Sequence, residues 1–125
     1  MVLATATDRF LMEPSLHRNK IYDFFETIFT CKEVGAGKEE PLIYLKALEF
    51  LNLDKSEVWV FEDAFYAMKT AKSAGFKVAA VKDKWADVLW RVTLDEVEEI
   101  LKAVDLYIDD YTKITPQDFG AAAQT

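Results

Sequence analysis

Cysteine is almost absent from this chain: Cys31 stands alone, so no internal disulfide can form and a reducing cytoplasm is the expected setting. Histidine is as scarce. His17, the only one, lies between Leu16 and Arg18 with no partner cluster, and reads as a surface or helix-end residue. No apolar run approaches the ~18 residues that cross a bilayer, and the N-terminus lacks the basic flank and apolar core of a signal peptide, so no membrane association is expected. Positive charge is in deficit. Fifteen Lys and Arg against 22 Asp and Glu leave a net charge of −7, which supplies no face for nucleic acid or anionic lipid. There is no internal repeat and no domain linker. What is present is an apolar content of 51% in 125 residues, enough to bury roughly two-thirds of the unfolded surface in one domain.

The organising stretch is Val58-Trp59-Val60-Phe61-Glu62-Asp63-Ala64, continuing through Lys69 to Gly75. Its valines and aromatics predict a short buried strand followed by two carboxylates in an acidic turn. In an open α/β sheet ligands bind outside the carboxyl ends of the strands, so acids at that boundary suit a cation. Ala67, Met68, Lys69, Ala71 and Lys72 are strong helix formers, and Gly75 fits the position just past a helix end. Phe76 to Val81 predicts a second strand, parallel to the first by way of a right-handed crossover.

Ahead of this unit, Met1-Val2-Leu3-Ala4 predicts a strand that runs into Thr5-Ala6-Thr7-Asp8. Hydroxyls and a carboxylate at that point either cap a helix or, with the backbone N–H groups there, hold an anion. Arg9 to Arg18 predicts a helix with Phe10, Leu11 and Leu16 buried, Pro14 a break or restart and Asn19 the stop. Tyr22 to Phe25 reads as an aromatic turn and Thr27 to Thr30 as a strand, closed by Cys31 as a small buried hydrophobe. In the loop Val34 to Pro41, two glycines precede Lys38 and suggest a tight turn that delivers an ammonium group. A P-loop is excluded, because the G-x-x-x-x-G-K-[ST] spacing is missing and Glu39 replaces the hydroxyl residue. Pro41 starts a helix whose apolar stripe is Leu42, Leu45, Leu48 and Leu51.

Beyond Val81 a polar strand end, 82–85, leads to a segment with Val88, Leu89 and Trp90. Thr93 and Glu96 make a capping box ahead of a helix with Leu94, Val97, Leu101 and Val104 on one face. Leu106-Tyr107-Ile108 predicts a last strand ending at Asp109-Asp110. Residues 116–125 read as a disordered tail behind a core spanning 1–115.

Taken together, Ala4-Thr5-Ala6-Thr7, then Gly37-Lys38 before a Pro-initiated helix, then Val60-Phe61-Glu62-Asp63 with Gly75 beyond, resemble the second, third and fourth motifs of the haloacid dehalogenase (HAD) superfamily. Within it the likeness is to the β-phosphoglucomutase-like phosphatases, over roughly residues 2 to 111. The resemblance implies an α/β fold with a Rossmann-like parallel sheet and flanking helices. It implies that Thr5 and the Ala6 amide bind a transferring phosphoryl group, that Lys38 neutralises its charge, and that Asp63 and Glu62 hold Mg²⁺. Such charge compensation is what phosphoryl transfer asks of a protein.

Two departures qualify the likeness. Ala64 stands where many relatives have serine, and Glu39-Glu40 where proline and a small residue are frequent. More consequential, no D-x-D pair occurs: Asp105, Asp109 and Asp110 miss the spacing. By the resemblance, that pair sits on a central first strand and supplies the nucleophile, and a cap domain follows it. The expectation is therefore an incomplete sheet lacking that strand, from a Mg²⁺-dependent phosphatase or phosphomutase of small phosphorylated metabolites that works through an aspartyl-phosphate. Alone, the chain is expected to be inactive, and to pair its halves directly, self-associate or accept the missing N-terminal segment. The alternative is a non-catalytic remnant that serves binding or assembly.

Overall fold

Short runs of β-branched and aromatic residues become the strands, and within each sheet successive strands are joined through a helix that returns the chain to the same end. The computed structural model describes residues 1–81 and 93–109. The chain divides into two units, Met1–Asn52 and Leu53–Thr125. Among the described residues, no helix is long and apolar enough to cross a membrane. The segment 82–85, the apolar Val88, Leu89 and Trp90, Asp110 and the tail 116–125 lie outside the described residues.

In the first unit β1 (Val2–Thr5) pairs in parallel with β2 (Thr27–Thr30). The return runs through α1 (Arg9–Arg18) and a 3-10 turn at Tyr22–Phe24. Helix α1 runs through Pro14 without a break. Its buried residues are Met12 and Leu16, four apart, which pack with Ile28 and draw in Leu3, Tyr22 and Phe25. Phe10, expected inside, is 70% exposed, and Leu11 is also outside. A helix presents residues four apart on one side, and Met12 and Leu16 have taken the inward one. Cys31 does not close β2: it opens a single turn, α2 (Cys31–Val34), and is half-buried. Gly35 ends that turn at φ 89°, and α3 (Leu42–Leu51) follows. Its inward residues are Ile43 and Tyr44, whereas Leu42 and Leu45 of the expected stripe are exposed.

In the second unit β3 (Trp59–Glu62), β4 (Lys77–Val81) and β5 (Leu106–Ile108) form a parallel sheet in the order β3-β4-β5. Helix α4 (Phe65–Ser73) buries Ala67, Met68 and Ala71 against β4, whose Val78, Ala79 and Ala80 are fully enclosed. Small residues on both surfaces let helix and sheet approach closely. The capping box expected at Thr93 is formed. Thr93 Oγ1 accepts the Glu96 N–H at 3.2 Å and Glu96 Oε2 accepts the Thr93 N–H at 2.7 Å, starting α5 (Leu94–Ala103). Here too the inward residue differs, because Ile100 is buried while Leu94 and Leu101 are exposed. Strand β3 is less enclosed than its composition predicts: Trp59 and Val60 are half-buried and Phe61 is 45% exposed. Among the described residues β1 and β3 are edge strands of separate sheets, in keeping with the expected incomplete sheet.

Two locks hold the second unit. Gly75, at φ 94°, ends α4, and the Lys55 ammonium donates to the Ala74 carbonyl at 2.6 Å while standing 5.6 Å from the Phe76 ring centre. The Asp105 carboxylate accepts from Lys72 Nζ and from the Val78 N–H, both at 2.9 Å, tying the approach of β5 to α4 and β4. Partial burial pushes the Asp105 carboxyl up, but the Lys72 and Val78 hydrogen bonds and the Lys72 and Lys77 charges outweigh it and hold it below the ordinary 3.8.

Gly75→Ala forces a Cβ into the left-handed region, so it should lower stability by about 1–2 kcal/mol in urea unfolding. Asp105→Asn should cost about 1 kcal/mol at neutral pH, allowing for solvent screening of a half-exposed group. Because the folded value is depressed, that difference from wild type should persist above pH 3.8 and vanish as the pH falls through the lower folded value. Unfolding curves at pH 7 and in strong acid check both signs.

Candidate functional site

The parallel register pairs Thr5 with Thr30, placing two hydroxyls side by side at the carboxyl ends of β1 and β2. Thr30 is buried and its Oγ1 accepts the Glu33 N–H at 3.1 Å, which starts α2. Thr5 Oγ1 accepts the Thr7 N–H at 3.1 Å, a hydroxyl turn that fixes the backbone just past β1. An oxygen used in this way can still donate its own proton outward. No side chain caps α1: Asp8 occupies the N-cap position, but its carboxylate makes no cap bond. Ala6 is exposed beside Thr5. Lys38 is half-buried, with its ammonium 6.0 Å from the centre of the Tyr44 ring, and α3, which carries Tyr44, packs on both β1 and β2.

A cleft of about 600 Å³ opens beside these strand ends, lined by Asp8, Arg9, Phe10, Glu13, Thr30, Lys32 and Glu33. Arg9 looks like an anion ligand but is committed elsewhere. Its guanidinium grips Glu33 with two bonds of 2.7 and 2.9 Å, Glu13 at 2.7 Å and the Ile28 carbonyl at 2.8 Å. The Arg9 hydrogen bond holds the Glu33 carboxyl below its ordinary range, and the two glutamates push Arg9 above its own. This cluster ties the start of α1 to β2 and α2, and the sequence reading missed it. The i,i+4 spacing of Arg9 and Glu13 was a readable signal, but Glu33, 24 positions away, gave none.

In the second unit Glu62 is the last residue of β3, opposite Ala80, and is buried at 7% exposure rather than standing in a turn. Asp63 follows it and is exposed. Successive residues of a strand point to opposite faces, and that alternation sends the Glu62 side chain inward. Among the described residues no three His, Cys, Asp or Glu side chains converge as a metal cluster. Carboxylate oxygens at a strand end nevertheless match the donor chemistry of Mg²⁺, which keeps several waters and needs few protein ligands. Thr5, Ala6 and Lys38 thus belong to the first unit, and Glu62 and Asp63 to the second.

Residues 1–81 match the family described as haloacid dehalogenase-like hydrolase. A phosphorylated carbohydrates phosphatase of Thermotoga maritima is 36% identical over 77 residues, covering 62% of this chain and 36% of that protein. The crystal structure of a HAD hydrolase, family IA, variant 3, from Entamoeba histolytica superposes over 99% of this chain and 53% of its own, with a TM-score of 0.69 and 25% identity. A β-phosphoglucomutase from Clostridium difficile shares the fold at 20% identity, with a TM-score of 0.65 over 89% of this chain and 44% of that one. The chain spans about half the length of these relatives, or less.

Thr5→Val removes the turn acceptor and the outward donor together, whereas Thr5→Ser keeps both. In a titration with inorganic phosphate followed by the Ala6 and Thr7 amide resonances, the valine variant should bind about ten-fold more weakly and the serine variant close to wild type. Equal affinity in valine and wild type removes Thr5 from the anion contact.

Proposed function

Because this chain belongs to the haloacid dehalogenase-like hydrolase family, we propose that it forms the phosphate-binding and cation-binding part of a Mg²⁺-dependent phosphatase or phosphomutase of small phosphate monoesters. The observation that carries this reading is positional. Thr5 ends β1 beside Thr30, and Glu62 ends β3 with Asp63 just beyond, so the polar side chains stand where parallel sheets receive ligands. The Thr5 hydroxyl and the Ala6 amide donate to phosphoryl oxygens, and the Lys38 ammonium offsets the negative charge on them. Asp63, with Glu62 beside it, would hold Mg²⁺, an ion that supplies positive charge for phosphoryl transfer.

The attacking group is not among these residues. No D-x-D occurs in the 125-residue chain, and Thr5 and Thr7 have only Asp8 nearby in sequence as a base. In the proposed reaction a carboxylate supplied from outside this sequence attacks phosphorus, the ester oxygen leaves and takes a proton, and water then cleaves the aspartyl-phosphate to return the carboxylate. The likeness to a phosphatase of phosphorylated carbohydrates supports a small phosphorylated metabolite as substrate. The net charge of −7 speaks against nucleic acid, and the lone Cys31 favours a cytoplasmic setting.

A second reading, a module for binding or assembly, is favoured by the edge strands β1 and β3 and the half-exposed Phe61. Such edges accept further strands, either from a second copy or from a segment that carries the D-x-D strand.

An aryl phosphate assay with Mg²⁺ separates the two. Turnover is expected only in a longer chain that restores the D-x-D segment and cap, and not in the 125 residues alone. Equal Mg²⁺-dependent turnover in both places the nucleophile within this chain. No turnover in either, with concentration-dependent association in sedimentation, favours the assembly reading.

A further inference from the structure

Ala6, Thr7 and Asp8 separate the end of β1 from the start of α1, and both ends of that span are held against the same neighbouring segment. On one side Thr5 is paired with Thr30 in the ladder. On the other, Arg9 reaches back: its Nε and Nη2 donate to the two oxygens of Glu33 at 2.9 and 2.7 Å, and Nη2 also donates to the Ile28 carbonyl at 2.8 Å. Thr30 and Glu33 are themselves joined, because the Thr30 hydroxyl accepts the Glu33 N–H at 3.1 Å. These contacts close a ring, from Thr5 to Thr30, Glu33 and Arg9 and back along the chain. Within it the Thr7 N–H adds a bond of 3.1 Å to the Thr5 hydroxyl. A backbone span fixed at both ends has little freedom left to lose when it receives an ion, and such preorganisation raises affinity.

Arg9 does not act here through its charge. The fork on Glu33 and a 2.7 Å bond from Nη1 to Glu13 set one positive group between two negative ones, so the cluster as a whole is anionic. The Glu13 bond stays within α1 and orients the guanidinium, whereas Glu33 and Ile28 belong to α2 and β2. Helix α1 has no side-chain cap at Asp8 and no acidic residue in its first turn, so the Arg9 fork is the side-chain anchor of that turn.

We infer that Arg9 is a positioning residue for the span that carries the Thr5 hydroxyl and the Ala6 amide, its fork on Glu33 holding that span in the shape that receives a phosphate-sized anion. The role in affinity rests on the phosphate-binding reading of Thr5 and Ala6; the role in shape does not.

Variants of the full 125-residue chain separate positioning from charge, because the two predict different results. Arg9→Lys keeps the positive charge and loses the planar fork, so a charge effect leaves phosphate affinity unchanged and a positioning effect lowers it. Glu33→Ala removes a negative charge, so a charge effect strengthens phosphate binding and a positioning effect weakens it. In a titration with inorganic phosphate followed at the Ala6 and Thr7 amides, both variants should bind about two- to five-fold more weakly than wild type, the factor expected of a half-exposed ion pair. Without ligand, amide relaxation should show larger fast motions at Ala6 and Thr7 in both variants. Asp105→Asn, which weakens the other unit, should match wild type in both measurements. Thermal unfolding shows which chains are folded, and if one of the two Arg9–Glu33 variants is not, the other decides. Unchanged or tighter phosphate binding in a folded variant overturns the role in affinity, and unchanged relaxation at Ala6 and Thr7 overturns the role in shape. An equal loss of affinity in Asp105→Asn traces the effect to general stability and overturns the positioning role. A wild type that does not respond to phosphate overturns the phosphate-binding reading, and with it the role in affinity, while larger motions in the variants still support the role in shape.

Discussion

A parallel strand pair cannot be closed by a tight turn, because the chain must travel back the length of the sheet before it can pair again. All three ladders described here are of that kind. Each return deposits the next strand with its carboxyl end beside the last one, so the residues that leave the strands collect along one rim. Thr5 and Thr30 meet there in the first unit, and Glu62 reaches the corresponding rim in the second. The helices that make the returns are also what the strands pack against, so placement of the polar rim and formation of the core follow from the same pairing.

The helices do this with few large residues. Helix α4 packs on β4, where Ala67, Ala71, Ala79 and Ala80 are all fully buried, and Phe76 and Met68 supply much of the enclosed volume. At the end of α4, one lysine bonds the last carbonyl and covers the adjacent ring, which joins helix termination to strand entry. In the first unit the sheet has only two strands, a marginal structure by itself, and it depends on α1 and α3 for its hydrophobic cover.

The strands were legible because short apolar runs bounded by polar residues have few other readings: Thr27 to Thr30 and Leu106 to Ile108 lie where the sequence places them. The helices were legible in extent but not in roll. Leucines at 42, 45, 48 and 51 form a strict row of threes, and such a row slips about 60° per step around a helix, so its two ends reach opposite sides. The face that turns inward combines steps of three and four, through Ile43, Tyr44, Ala47 and Leu48. The rarity of acids in strands predicts a turn at Glu62, but parallel pairing with Ala80 carries the strand through it. At the rim, residue types and order were readable, whereas the partners of Arg9, Lys38 and Asp105 were not. Apart from Glu13, they lie beyond the i+4 reach of local pattern, and only tertiary packing brings them near.

Among the described residues strand β4 has a hydrogen-bonded neighbour on each side, while β1, β2, β3 and β5 have one. In terms of amide exchange with solvent, that topology grades the chain. The protons of Val78, Ala79 and Ala80 are buried within a sheet flanked on both sides, so their exchange requires opening of the second unit as a whole. Those of Val2 to Thr5, in a two-stranded sheet, need only a local fraying. Among the described residues the slowest clock therefore runs in β4, and because Ala80 lies opposite Glu62 the protected stretch reaches the very end of β3.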